Sequence, residues 1–195
     1  MNWANRLTLS RLALTILFVL ALNSQWRYGR TAALLLFIVA GLTDYFDGEI
    51  ARRYKFVTAF GKLMDPLVDK IMIAAAFISL VPLRAVPAWV ATTIVAREFL
   101  ITGVRLMAST RGKVLPAERL GKHKTSWQIV TVLFFLLLLS LQELRYASRG
   151  DEWWLRSWHD GGRALIFIAV GLTVYSGLAY AWRHRDVVIR DGSDI

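Results

Sequence analysis

Apolar residues gather into six stretches, at about residues 9–22, 31–50, 61–81, 87–108, 126–141 and 163–182, separated by short groups of charged and turn-forming residues. Most approach the roughly 20 residues that a helix needs to cross about 30 Å of hydrocarbon. The pattern predicts an all-α, polytopic membrane protein with six transmembrane helices. Asn5, Arg6, Thr8, Ser10 and Arg11 lie before and at the start of the first apolar run and predict an N-terminal amphipathic turn at the interface. No small-residue cleavage pattern follows Leu22, so this segment is expected to be an uncleaved span. No internal repeat, linker or composition break divides the chain, which predicts one domain over residues 1–195. The longest non-apolar stretch, 142–162, carries Trp153, Trp154 and Trp158, expected to form an interfacial aromatic belt.

Composition agrees with the bilayer as solvent: 56% of residues are hydrophobic and only 19% charged, where soluble domains carry about 25% charged residues. The chain has no cysteine, so any metal must be held by oxygen or imidazole ligands. The formal charge of +10 could suit nucleic acid. Basic residues lying between long apolar runs instead mark an anionic cytoplasmic leaflet, and with no nucleic-acid reader motif present no such partner is expected. With six spans, fourteen lysines and arginines fall on the side of the termini and the 2–3 and 4–5 connections, against seven on the other side. That asymmetry predicts cytoplasmic termini.

Ionisable residues inside spans are unfavourable by about 2.5–3.5 kcal/mol each at a helix centre, so an ordered cluster of them needs a physical reason. The second stretch ends with Asp44 and Asp47, three residues apart, and the third begins with Asp65 and Asp69, four apart, so each pair shares a helix face. The short connection at 53–60 predicts antiparallel neighbouring helices and convergence of the four carboxylates. Four unneutralised carboxylates would repel one another, which calls for divalent cations; an all-oxygen set favours magnesium or manganese, and a pair of ions suits phosphoryl transfer. Gly48 and Gly61 remove side-chain bulk beside these positions, and Arg52 offers a planar fork for phosphate.

The complete pattern, Asp44-x2-Asp47-Gly48-x2-Ala51-Arg52-x8-Gly61-x3-Asp65-x3-Asp69, resembles the signature of the CDP-alcohol phosphatidyltransferase family at every fixed position. The resemblance implies replacement of the CMP of a CDP-linked donor by an alcohol. It implies that Asp44, Asp47, Asp65 and Asp69 bind two divalent metal ions, with Asp69 also the catalytic group nearest the acceptor hydroxyl. Asp44, Asp47, Gly48, Ala51, Arg52 and Gly61 would bind the CDP moiety. It further implies CDP-diacylglycerol as donor, a homodimer, and a place in the bacterial inner membrane with the active site facing the cytoplasm.

The acceptor must be chosen by other residues. Arg97, Glu98, Thr102 and Arg105 lie in the fourth stretch, and Lys122, His123 and Lys124 precede the fifth. Arg97 and Glu98 could form an internal ion pair. Arg105, Lys122 and Lys124 could build a pocket for an acceptor's own phosphate, which favours glycerol 3-phosphate; His123 is expected to be exposed. Over residues 1–128 these stretches and Asn5-x-Leu7-Thr8-x2-Arg11 resemble the bacterial family members that use this acceptor. The alternatives are inositol phosphate, serine or phosphatidylglycerol as acceptor, a cation transporter, or a prenyltransferase. The glycine after Asp47 and the Ala51-Arg52 pair argue against the last.

Overall fold

A computed structural model describes the backbone at residues 3–54, 59–110, 119–144, 156–183 and 185, and the side chains at 9–43, 68, 70–109, 123–144, 156, 158–183 and 185. The described residues form six α-helices: α1 (Trp3–Asn23), α2 (Gly29–Tyr54), α3 (Ala59–Leu80), α4 (Ala88–Thr110), α5 (Arg119–Glu143) and α6 (Gly162–Arg183). A π-helical turn, Ser157–Gly161, leads directly into α6. Each apolar stretch becomes one helix, and the all-α expectation holds among the described residues. Two boundaries differ from the expectation. Helix α1 runs unbroken from Trp3, so the N-terminal amphipathic turn is continuous with the first span. Helix α5 starts at Arg119, so the basic segment expected ahead of the fifth span is itself helical.

By length and composition, His123–Glu143 and Trp158–Arg183 are able to cross a membrane, with shorter apolar helical runs at Leu9–Asn23, Gly29–Thr43 and Lys70–Leu80. Threonines sit in these helices at little cost. Thr15, Thr43, Thr92, Thr93, Thr102, Thr131 and Thr173 each donate to the carbonyl four residues earlier, which satisfies the hydroxyl without water.

The helices close into a ring in the order α1, α2, α5, α6, α4, α3 and back to α1, with α3 also touching α5 across the middle. The described parts of α2 and α3 both pack on α1; the ends at which the sequence predicts their direct pairing lie outside the described side chains. Along its length the bundle has two unlike halves. The end containing the α3–α4 turn is apolar: Phe18, Phe37, Phe77, Leu80, Ile94 and Leu136 are buried there, with the Phe18 and Phe37 rings 5.6 Å apart. The opposite half is internally polar yet externally apolar, with Phe99, Leu100, Leu106 and Leu178 exposed. An apolar exterior around a polar interior reverses the usual arrangement of a water-soluble bundle and suits a hydrocarbon surround.

The apolar end is closed by specific contacts. After α3, Ala85 N donates to Leu80 O at 3.2 Å and Arg84 N to Val81 O at 2.9 Å, around Arg84 at φ 56°. This is a Schellman stop with arginine in the left-handed position that usually takes glycine. Where α2 begins, Glu143 at the end of α5 accepts from Arg30 N (3.0 Å), Thr31 N (2.8 Å) and Thr31 Oγ1 (2.8 Å), capping the neighbouring helix. Trp158, expected in an interfacial belt, is partly buried and packs edge-on against Phe135 at 5.4 Å; Trp153 and Trp154 lie outside the described residues. Gly162 lets this turn close, because a Cβ there would stand 2.7 Å from the Phe135 ring.

Candidate functional site

Alternation of helix direction brings the C-terminal halves of α2, α4 and α6 and the N-terminal halves of α3 and α5 to the same end of the bundle. Asp44, Asp47, Gly48, Ala51 and Arg52 belong to α2 there, and Gly61, Asp65 and Asp69 to α3. Their side chains lie outside the described residues, as does that of Lys122 on α5.

Adjoining them is a buried polar cluster built by α3, α4, α5 and α6. Lys70, the residue after Asp69, donates through Nζ to Thr102 Oγ1 at 2.6 Å, tying the acidic segment of α3 to α4. Glu98 Oε1 accepts from Lys124 Nζ and, at 3.2 Å, from Arg97 Nη1. The Lys124 side chain is 3% exposed and that of Glu98 16%, so this is an interior ion pair joining α4 to α5. Arg97 Nη2 reaches Ser176 Oγ at 3.2 Å. Two turns further along α4, Arg105 Nε donates to Tyr180 OH at 3.2 Å, with its guanidinium carbon 5.4 Å from the Tyr180 ring centre. Deeper in the bundle, Gln128 Nε2 donates to Thr173 Oγ1 at 2.9 Å.

Lys70, Arg97, Arg105 and Lys124 are close enough to act on one another: the charges of Arg105 and Arg97 bear on Lys70, and those of Arg97 and Lys70 on Lys124. Among the described side chains of the cluster, one carboxylate, Glu98, answers these four cations. Cations removed from water need opposing charge, and the carboxylates of Asp65 and Asp69, on the adjoining segment of α3, lie outside the described side chains. Of the three residues expected to hold an acceptor phosphate, Lys124 stands on Glu98 and Arg105 on Tyr180, at separate points of this cluster. Arg97 and Glu98 pair as anticipated, but the pair is shared with Lys124. His123 is exposed, in accord with its reading, although it stands on a helix.

Sequence reasoning missed Lys70, Ser176 and Tyr180. A signal existed for the last two: the buried positions Gly162, Ile166, Ala169, Thr173, Ser176 and Tyr180 recur at spacings of three and four, and the later ones are polar. Among the described residues no group of three or more acidic or histidine side chains forms a metal site. The four aspartates of α2 and α3, expected to bind the metal, lie outside the described side chains.

The chain matches the CDP-alcohol phosphatidyltransferase family over residues 1–175. It is 40% identical over 191 residues to the CDP-diacylglycerol--glycerol-3-phosphate 3-phosphatidyltransferase of Bacillus subtilis (strain 168), covering 92% of this chain and 93% of the relative. The protein of the same name from Rickettsia felis is 34% identical over 179 residues, covering 92% and 93% respectively. A probable phosphatidylglycerophosphate synthase of Mycobacterium tuberculosis is 42% identical over 190 residues, covering 95% of this chain and 83% of the relative.

Proposed function

Because the chain belongs to the CDP-alcohol phosphatidyltransferase family, we propose that it transfers a phosphatidyl group from CDP-diacylglycerol to sn-glycerol 3-phosphate, giving phosphatidylglycerophosphate and CMP. The observation that carries the choice of acceptor is the gathering of Lys70, Arg97, Arg105 and Lys124 by α3, α4 and α5, with Arg97 and Lys124 on Glu98. Such a basic site suits an acceptor with its own phosphate dianion better than serine or an uncharged alcohol.

In the proposed reaction an acceptor hydroxyl oxygen attacks the phosphorus that bears the diacylglycerol. The new P–O bond forms as the bond to CMP breaks, and the hydroxyl proton passes to Asp69. Asp44, Asp47, Asp65 and Asp69 would hold two magnesium or manganese ions, which would neutralise the pyrophosphate and the departing CMP oxygen. Gly48, Ala51, Arg52 and Gly61 would line the cytidine nucleotide, and Arg105, Lys122 and Lys124 would receive the acceptor phosphate. Holding donor and acceptor between adjoining aspartate and cation clusters turns a two-substrate encounter into an oriented one.

The apolar exterior and the membrane-capable helices support a multi-pass protein of the bacterial inner membrane. The lysine and arginine asymmetry supports a site at the cytoplasmic face. A homodimer is proposed from the family alone.

The deciding experiment incubates purified protein and CDP-diacylglycerol with a panel of glycerol 3-phosphate, inositol phosphate, serine and phosphatidylglycerol, and measures CMP release. Release with glycerol 3-phosphate well above the others is expected. Faster release with a different alcohol would overturn the acceptor assignment, and release with none would overturn the transferase reading.

A further inference from the structure

Helix α6 supplies no residue to the family signature, and Ser176, Gly177 and Tyr180 lie just beyond residue 175, where the family match ends. Yet these three residues meet the two arginines of α4. The Arg97 side chain crosses α6 at Gly177, where a Cβ would stand 3.0 Å from Arg97 Cγ. Its Nη2 is then held at 3.2 Å by Ser176 Oγ. Arg105 is fixed twice by one side chain: Nε donates to Tyr180 OH, and the guanidinium stands near the Tyr180 ring. Tyr180 is 2% exposed and Ser176 3%, so both contacts are made inside the bundle.

An arginine loses considerable rotamer freedom when a ligand immobilises it, and fixing it beforehand removes that cost from binding. A guanidinium gripped at Nε also keeps both terminal nitrogens for the bidentate pairing that phosphate takes. We propose that Tyr180 is a positioning residue that sets Arg105 for the acceptor phosphate, while Ser176 and Gly177 seat the neighbouring Arg97 on Glu98, so that α6 governs acceptor affinity without touching the acceptor. The proposal rests on the reading of the cation cluster as the acceptor-phosphate site.

Steady-state kinetics of the full-length protein in detergent micelles, with each substrate varied in turn, tests it on Tyr180→Phe, Ser176→Ala, Arg105→Ala and the double variant Tyr180→Phe/Arg105→Ala. Tyr180→Phe keeps the ring and loses only the hydroxyl. It should raise the KM for glycerol 3-phosphate by about tenfold, the scale of one hydrogen bond to a charged group, with kcat and the CDP-diacylglycerol KM within about twofold of wild type. Ser176→Ala should act in the same direction, and Ser176→Thr, which retains a hydroxyl, should restore the wild-type value. The double variant should be no worse than Arg105→Ala alone, because a residue acting through Arg105 has no effect once Arg105 is gone. Additive penalties, or a Tyr180→Phe defect spread equally over kcat and both KM values with a lowered melting temperature, would make Tyr180 a packing residue and overturn the proposal. An Arg105→Ala variant with unchanged acceptor KM would instead remove the acceptor-phosphate reading beneath it. An Arg105→Ala defect with silent Tyr180→Phe and Ser176→Ala would leave that reading intact and overturn the role of α6.

Discussion

Glu98→Gln isolates the charge balance of the polar half. Glu98 pairs with Lys124, whose side chain is 3% exposed, and with Arg97, at 14%. Removing one partner of a buried pair typically costs about 3–5 kcal/mol, because the remaining charge stays out of water uncompensated. Glu98 itself is 16% exposed, so part of its pairing energy is already screened, and the lower end of that range, about 3 kcal/mol, is expected. For a chain of this size each kcal/mol moves the melting temperature by roughly 2–4 °C, which gives a fall of about 6–12 °C. Glycerol 3-phosphate should restore much of it, since a ligand at about 100 times its Kd contributes roughly 2.7 kcal/mol to the folded state. Lys124→Met should be milder, because Glu98 keeps Arg97 as a partner. Melting of the detergent-solubilised protein, followed by tryptophan fluorescence with and without glycerol 3-phosphate, measures all three quantities. A Glu98→Gln variant melting with the wild type, or a Lys124→Met variant equally damaged, would refute the view that Glu98 is the charge on which Lys124 and Arg97 depend.

At the apolar end, Glu143→Gln removes the charge from the cap on α2 and should destabilise by about 1–2 kcal/mol in the same melting assay, with acceptor KM unchanged because the cap is at the opposite end from the cation cluster; a kinetic defect without a stability loss would contradict this. Gly162→Ala forces a methyl against the buried Phe135 ring and should cost about 1–3 kcal/mol, and an unaltered melting temperature would show that the ring moves aside freely. Asp44→Asn, Asp47→Asn and Asp65→Asn should abolish CMP release, while Asp69→Asn should lower kcat by roughly 10²–10⁴-fold with a smaller effect on donor binding; full wild-type activity in excess chelator would rule out the metal assignment. A single cysteine introduced at Ser193 should react with an impermeant thiol reagent only from the cytoplasmic side, and labelling only from the external side would reverse the topology.

The sequence announced its helices because apolar runs of spanning length have few other solutions, and all six fall within described helices. The aspartate register was legible for a different reason: the residues are close together in sequence, so helix periodicity alone sets the faces they share. What remained hidden is what only tertiary packing can create. The Glu143 cap joins residues 112 and 113 positions apart, and no local pattern at Arg30 or Thr31 indicates which element will approach. Lys124 is read from the sequence as a phosphate-pocket residue with Arg105 and Lys122, and only the packing of α5 on its neighbours shows that it is buried beside Glu98. Trp158 looked like an interfacial anchor for the same reason, since its sequence surroundings are polar while its spatial surroundings are Phe134 and Phe135. Tyr180 and Ser176 carried the periodicity of a buried face, but their partners on α4 are 75 and 79 residues away.

The hold of α6 on α4 also bears on how the protein is made. Helix α4 carries Arg97, Glu98 and Arg105 and is absent from the runs apolar enough to span a membrane unaided, whereas the stretch containing α6 is among them. In the bilayer setting proposed for the chain, α4 leaves the ribosome with two arginines whose partners Ser176 and Tyr180 have yet to be synthesised. Until the final helix arrives, the cost of those charges in hydrocarbon is only partly offset. The full set of partners for the α4 arginines is therefore assembled only once α6 is in place.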